Sequence, residues 1–246
     1  MTIIAGTRFT QIDPPEWYNF SQMGINDSAY FIIEPEAYRR LAQQLVPKLR
    51  ALDGNRVTFK NEIHRTSRFA ICHYAIEKDK EGFKLTYDEA QSAIASNQKK
   101  TNSNPEMLND PVVRDLLACF LEDINDETVV RAEVKLIQTD TFPFIFNPHR
   151  DSQFRRLRHI VYLATVILSV GGIEGGNMQL FHSENDKVGP FQLIEELPAE
   201  CGVGYIVDER PQRIFHGMKS AYQKDETAHR AAFLVRFFNA PLGFGS

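Results

Sequence analysis

The sequence predicts a mainly β fold with helices: an α+β chain in which a jelly-roll core is flanked by N-terminal helices. Three observations point there. Beyond Asn125 the chain breaks into many short apolar or alternating runs, each about a strand long. Glycine and proline punctuate those runs, at Gly171-Gly172, Gly175-Gly176, Gly189-Pro190, Gly202, Gly204 and Pro211, as in barrels and double-sheet jelly rolls. Before Asn125, apolar residues instead recur at helical spacing in at least one long segment. A length of 246 residues, 43% hydrophobic and 24% charged, suits one domain over 1–246, with helix-rich elements in 1–125 and the jelly roll in 126–246.

Taken in order, 29–33 is a short apolar run that reads as a strand. Glu34 and Pro35 open a helix to about Leu52, proline taking its favoured first position, and Pro47 should kink or split it. Asp53-Gly54-Asn55 is a turn, and 69–76 a strand. Thr86 and Glu89 form a capping-box pair that starts a helix to about Asn97. The polar stretch 96–104 reads as a loop and a candidate lid. Asp110 and Pro111 cap the clearest helix, in which Val112, Val113, Leu116, Leu117, Phe120, Leu121 and Ile124 share a face. Residues 129–139 alternate as a strand and 160–170 are almost continuously apolar. Shorter strands are expected at 177–181, 191–195, 203–207 and 213–218, and a last alternating strand at 229–238.

Composition excludes several roles. There is no run of about 18 apolar residues, so no membrane span is expected. The N-terminus shows no basic region followed by a long apolar one, so no secretory signal is expected. Cys72, Cys119 and Cys201 are odd in number, far apart and outside any CxxC pair, which fits a reduced, cytoplasmic protein. A net charge of −4 argues against a nucleic-acid partner.

The candidate chemistry begins at Asn147-Pro148-His149-Arg150-Asp151. On an extended strand His149 and Asp151 would point to the same face and present an imidazole beside a carboxylate. Alone this is a weak signal, compatible with a surface turn. His216 follows 67 residues later, on the same face of its segment as Ile214. Two neutral imidazoles and a carboxylate are the donor set that suits non-haem Fe(II) and leaves coordination positions open. Arg230 lies 14 residues past His216. The polar residues 219–227 between them read as a hairpin loop, which would make the flanking strands antiparallel neighbours. Arg230 would then point into the barrel behind the metal, where a guanidinium needs an anion such as a carboxylate.

With the glycine pair before Asn177-Met178-Gln179-Leu180-Phe181, these features resemble the 2-oxoglutarate/Fe(II)-dependent oxygenases, over about 149–238. Within that family the small bacterial amino-acid hydroxylases look most similar. The resemblance implies a double-stranded β-helix core. It implies His149, Asp151 and His216 as iron ligands, and Arg230 as partner of the distal carboxylate of 2-oxoglutarate. It implies Fe(II), 2-oxoglutarate and O2 as cofactors, with succinate and CO2 released as an aliphatic carbon is hydroxylated. Related halogenases have Gly or Ala where this chain has Asp151, so a carboxylate there predicts hydroxylation. One departure is Arg230-Ala231-Ala232, where many members have Arg-x-Ser. Tyr162 or Tyr205 could supply the missing hydroxyl, and Arg236 is the rival to Arg230.

Four residues are candidates for holding substrate. Arg155 and Arg158, with Arg156 between them, follow the HxD motif closely, and Arg68 lies in the basic stretch His64-Arg65-Thr66-Ser67-Arg68. Both groups would otherwise be solvated strand residues. Glu133 could meet a substrate amine, although a cross-strand ion pair is the simpler reading. His159, His182 and His229 read as surface or core residues. The expected partner is a small molecule, a free L-amino acid. The alternatives are a peptide or protein side chain, as for a prolyl hydroxylase, or a cupin-type metal protein that uses no 2-oxoglutarate.

Overall fold

Fourteen strands and three helices make up the computed structural model, which describes residues 9–11, 30–52, 56–59, 65–80, 82–98, 108–153, 159–183, 190–210 and 213–240. The first half holds β1 (Phe9–Gln11), β2 (Tyr30–Ile33), α1 (Pro35–Leu45), β3 (Arg56–Phe59), β4 (Arg65–Asp79), β5 (Gly82–Asp88), α2 (Glu89–Gln98) and α3 (Pro111–Ile124). The second half holds β6 (Arg131–Thr139), β7 (Phe144–His149), β8 (Ile160–Gly171), β9 (Ile173–Gly175), β10 (Met178–His182), β11 (Gln192–Leu197), β12 (Gly204–Asp208), β13 (Ile214–Gln223) and β14 (His229–Phe238). Among the described residues no helix is long and apolar enough to cross a membrane.

Two antiparallel sheets form the jelly roll. The larger runs β1-β2-β12-β8-β14-β6-β4-β3, with β5 added on β4; the smaller runs β11-β10-β13-β7, with β9 added on β13. Strand parity divides the side chains of the larger sheet between two cores. On β14, Ala231, Phe233, Val235 and Phe237 pack outward with Tyr38 of α1 and with Leu116, Phe120 and Leu121 of α3. Phe120 stacks on Phe233 at 6.5 Å between ring centroids. The opposite face looks toward the smaller sheet. There Leu163, Ile167, Tyr205 and Val207 pack against Met178, Leu180 and Ile214, with Leu234 beside them. Arg230, Ala232 and Arg236 share the parity of Leu234, which places them on this inner face.

Helix boundaries follow local chemistry. Asp110 caps α3, its carboxylate accepting from Val112 N–H at 2.9 Å, with Pro111 next. The α-helix that begins at Pro35 ends at Leu45, and Val46–Leu52 continues as a tighter 3-10 segment around Pro47.

Three expectations are corrected. The helix expected from Thr86 starts three residues later: β5 runs through Thr86, and Asp88 caps α2 by accepting from Gln91 N–H at 3.0 Å. Residues 96–98 of the expected loop belong to α2, and 99–104 lie outside the described residues. Most consequentially, β13 and β14 are not neighbours. β13 pairs with β10, β7 and β9, whereas β14 pairs with β6 and β8, so the connection between them crosses from one sheet to the other. The expected turn at 53–55 lies outside the described residues.

Gly204 lets β12 lie against β8: a Cβ there would come within 2.1 Å of the Thr165 carbonyl oxygen and 2.7 Å of Ile33 Cδ1. Gly204→Ala is expected to cost about 1–3 kcal/mol through overpacking, measured as a fall in urea-unfolding free energy. An unchanged unfolding midpoint would show that β12 has room to shift.

Candidate metal centre

β7 and β13 are antiparallel partners with His149 directly opposite His216, which brings the two rings to 4.2 Å between centroids. Asp151 is not on the strand with His149. β7 ends at His149, and Asp151 opens a short 3-10 turn, Asp151–Gln153. The turn, not strand parity, brings the carboxylate back toward the imidazoles. One donor atom from each of His149, Asp151 and His216 lies within 4.8 Å of the others, the one such cluster among the described residues.

His149 Nδ1 lies 2.9 Å from the Asn147 carbonyl oxygen, which can only accept, so Nδ1 carries a proton and Nε2 is the nitrogen left to serve as a ligand. Phe146 meets the His149 ring edge-on at 4.3 Å. Burial, with His149 alongside, pushes His216 down to about 3, so its ring is neutral at pH 7. Burial works against the Asp151 carboxylate, but Arg236 outweighs it and holds the group well below the usual carboxylate range. Asp151 and His216 are each only 3% exposed.

Behind the donors lies a chain of buried charges. Arg236 donates from Nε to Asp151 Oδ2 at 2.5 Å and from Nη1 to Glu133 Oε1 at 2.7 Å. Lys135 Nζ reaches the same Glu133 oxygen at 2.9 Å, and His73 Nε2 lies 3.8 Å from the other. Glu133 stands opposite Arg236 on β14 and opposite His73 on β4, so the sheet register itself assembles the group. Arg131 Nη1 donates to His73 Nδ1 at 3.2 Å, which leaves the His73 proton on Nε2, facing Glu133. The Arg131 guanidinium also sits over the Phe238 ring at 3.6 Å. Burial pushes His73 down to about 4. Burial and Arg236 push Lys135 down to about 8, while Lys135 and Arg236 overcome burial to hold Glu133 ionised.

Arg230 is differently placed. The residue as a whole is half-buried, it lies on the inner face, and its Nε is shielded from solvent without a hydrogen-bond partner among the described residues. Burial lowers it to about 10, partly opposed by Tyr205. Tyr205 lies on the inner face of β12, its ring 6.4 Å from that of His216. Tyr162 points the other way. Its hydroxyl donates to Asp126 Oδ2 at 2.8 Å and takes a bond from Arg210, which itself grips Asp208. Arg155 and Arg158 lie outside the described residues, and of Arg68 only its place on β4 is described.

Three residues of the donor cluster's surroundings and of the buried charges behind it are not singled out by the sequence alone: His73, Lys135 and Glu209. For Lys135 a signal existed, since Arg131, Glu133 and Lys135 fall on alternate positions of one strand and therefore on one face. Glu209, 1% exposed, accepts from the Ser152 hydroxyl at 2.7 Å and its N–H at 3.2 Å, and burial together with Asp151 raises it to about 7.

No protein-family model and no curated protein matches this chain. Solved structures do. A bsmA homolog from Methylobium petroleophilum PM1 aligns with a TM-score of 0.61 at 13% identity, covering 92% of this chain and 93% of that one. IDO from Bacillus thuringiensis aligns at 0.58 and 12% identity, covering 90% and 96%. The Fe(II)/α-ketoglutarate-dependent dioxygenase TqaL aligns at 0.52 and 12% identity, covering 85% and 81%.

The buried ionisable groups give two expectations. Arg236→Leu removes the cation shared by two buried carboxylates and is expected to cost about 3–5 kcal/mol at pH 7, read from urea unfolding; a loss under 1 kcal/mol would mean Lys135 alone suffices. In the metal-free protein, His73 and His216 take up protons only after unfolding as pH falls below about 6.5, whereas Glu209 gives up a proton on unfolding there. The unfolded chain therefore binds a net proton more, and stability should fall by about 1.4 kcal/mol per pH unit below pH 6.5. The fall should steepen below about pH 4.5, where Glu133 and Asp151 protonate only in the unfolded chain. Unfolding free energies constant from pH 6.5 to 4 would contradict this.

At 12–13% identity the structural likenesses establish the fold, and the chain is a double-stranded β-helix protein built like the dioxygenase TqaL.

Proposed function

We propose that this protein is an Fe(II)- and 2-oxoglutarate-dependent oxygenase that hydroxylates an aliphatic carbon of a small substrate, a free L-amino acid, and releases succinate and CO2. The observation that carries the reading is the clustered His149–Asp151–His216 donor set on the same barrel interior as an Arg230 guanidinium with an unpaired Nε. The likeness in fold to a dioxygenase of that cofactor class supports it.

The donor set fits the metal. One imidazole kept neutral by burial, a second whose Nδ1 is hydrogen-bonded so that Nε2 is its ligand atom, and one carboxylate kept ionised form a set that suits a divalent cation. When bound, iron and 2-oxoglutarate supply the oxidation, in which O2 is consumed, 2-oxoglutarate loses CO2 and one oxygen atom enters a C–H bond. The chain's own residues bind, orient and shield. Arg236 holds Asp151 Oδ2, while Oδ1 lies 3.7 Å from His149 Nε2 and is the oxygen the carboxylate would offer a metal. Arg230 offers a free N–H to a carboxylate, and Ala232, small and of the same parity, leaves room along β14 on the metal side of it. The Tyr205 hydroxyl makes no hydrogen bond among the described residues and serves as the second donor to that carboxylate, in place of the serine that Ala232 replaces. Leu163, Ile167, Leu180 and Ile214 close the adjoining half of the interior to water.

The direct test is anaerobic reconstitution with Fe(II), followed by 2-oxoglutarate, O2 and a pool of L-amino acids. Succinate release together with a product one oxygen atom heavier than one of the amino acids is expected. Succinate stimulated only by peptides would move the substrate class, and no succinate under any condition would overturn the oxygenase reading. Arg230→Ala should raise the 2-oxoglutarate requirement by about 10- to 100-fold, the worth of one charge-assisted bond, while Fe(II) still binds. An unchanged requirement would remove Arg230 from the co-substrate site.

A further inference from the structure

Glu209 is a buried carboxylate with no cation bonded to it among the described residues. It stands one residue beyond β12, and its N–H donates to the Val161 carbonyl at 2.9 Å, which pins its backbone to β8. Its side chain is fully enclosed. The two carboxylate oxygens have different surroundings. Oε2 accepts twice from Ser152, from the hydroxyl and from the backbone N–H, and so holds the turn that begins at Asp151. Oε1 accepts nothing, and 3.8 Å away lies His216 Nδ1, buried and equally without a partner. An orphaned acceptor and an orphaned ring nitrogen, both sealed from water, face one another at a separation that a small side-chain rotation closes to a hydrogen bond. Anchoring Ser152 needs only one oxygen, and a serine or amide side chain would supply it without the cost of burying a carboxylate.

We propose that Glu209 is a positioning residue of the metal centre, one oxygen holding the turn that presents Asp151 and the other taking the Nδ1 proton of His216. This rests on the reading of His149, Asp151 and His216 as metal ligands. Placing the proton on Nδ1 leaves the His216 Nε2 lone pair for the metal and fixes the ring plane. His149 has the same arrangement by a cheaper route, its Nδ1 proton going to the Asn147 carbonyl of its own strand. Among the described residues no carbonyl bonds His216 Nδ1, and Glu209 takes that place from across the barrel.

The test is Co(II) titration of the metal-stripped full chain, followed by visible absorption, alongside thermal unfolding of the same samples without metal. Glu209→Leu and Glu209→Asp, the second keeping the charge but withdrawing the oxygens, are each expected to weaken Co(II) binding by about 10- to 100-fold and to alter the Co(II) ligand-field bands. Glu209→Gln keeps the reach but has one acceptor oxygen for the two tasks, so it is expected to weaken Co(II) binding while leaving the metal-free unfolding midpoint nearer wild type than Glu209→Leu does. A purely structural role would lower the metal-free unfolding midpoint and leave the bands as they are. If Glu209→Leu does not fold, Glu209→Asp carries the test. Wild-type affinity and bands in both Glu209→Leu and Glu209→Asp would overturn the proposal. Failure of the wild-type protein to bind Co(II) would overturn the metal-centre reading beneath it.

Discussion

Arg236 stands between two carboxylates in the space between the sheets, and the placing of the donor cluster depends on it. Its Nε holds Asp151 and its Nη1 holds Glu133, so one planar guanidinium fixes a turn from the smaller sheet's side against a strand of the larger one. Without that cation, two ionised groups would face each other in a medium of low polarity, and one would have to take up a proton. The buried charges then fall into place in sequence. Glu133 needs Lys135 and His73 to satisfy its remaining capacity, and His73 needs Arg131 to decide which nitrogen carries its proton.

This gives the barrel interior two halves. One is apolar, with Leu163, Ile167, Leu180, Val207 and Ile214 interdigitating between the sheets. The other is ionic, along β6, β14 and β4. The donor cluster lies where they meet: His216 is the register partner of Leu180 on one side and of His149 on the other. Such a boundary offers a bound cation charged ligands and a bound aliphatic substrate a dry surface.

Much of this was legible in the chain. The strands from β8 to β14 were marked by alternation and by glycine, and 229–238 matches β14 residue for residue. His149, Asp151, His216 and Arg230 stood out by type and spacing. What was illegible depended on pairing between distant segments. Glu133 and Arg236 are 103 residues apart, and only the β6–β14 register makes them neighbours. The sheet change between β13 and β14 is likewise invisible locally, since a polar connection reads the same whether it turns back within a sheet or crosses to another. At Thr86 a capping-box pattern competed with the alternation of Phe83, Leu85 and Tyr87. The alternation won because β4 offered seven residues of pairing. Asp151 was paired with His149 by strand parity, but the strand had already ended and the turn achieves the meeting instead.

The crossing between β13 and β14 has a geometric consequence. His216 and Arg230 are close in sequence yet belong to facing layers, so their separation is set by the thickness of the sandwich and not by the connecting loop. Two packed layers hold a nearly constant gap, because the side chains between them cannot be compressed. In the proposed oxygenase this makes the barrel a calliper: a diacid spans from metal to guanidinium only if its carbon backbone has the matching length. Shorter and longer homologues would carry the same end groups and fail on reach alone.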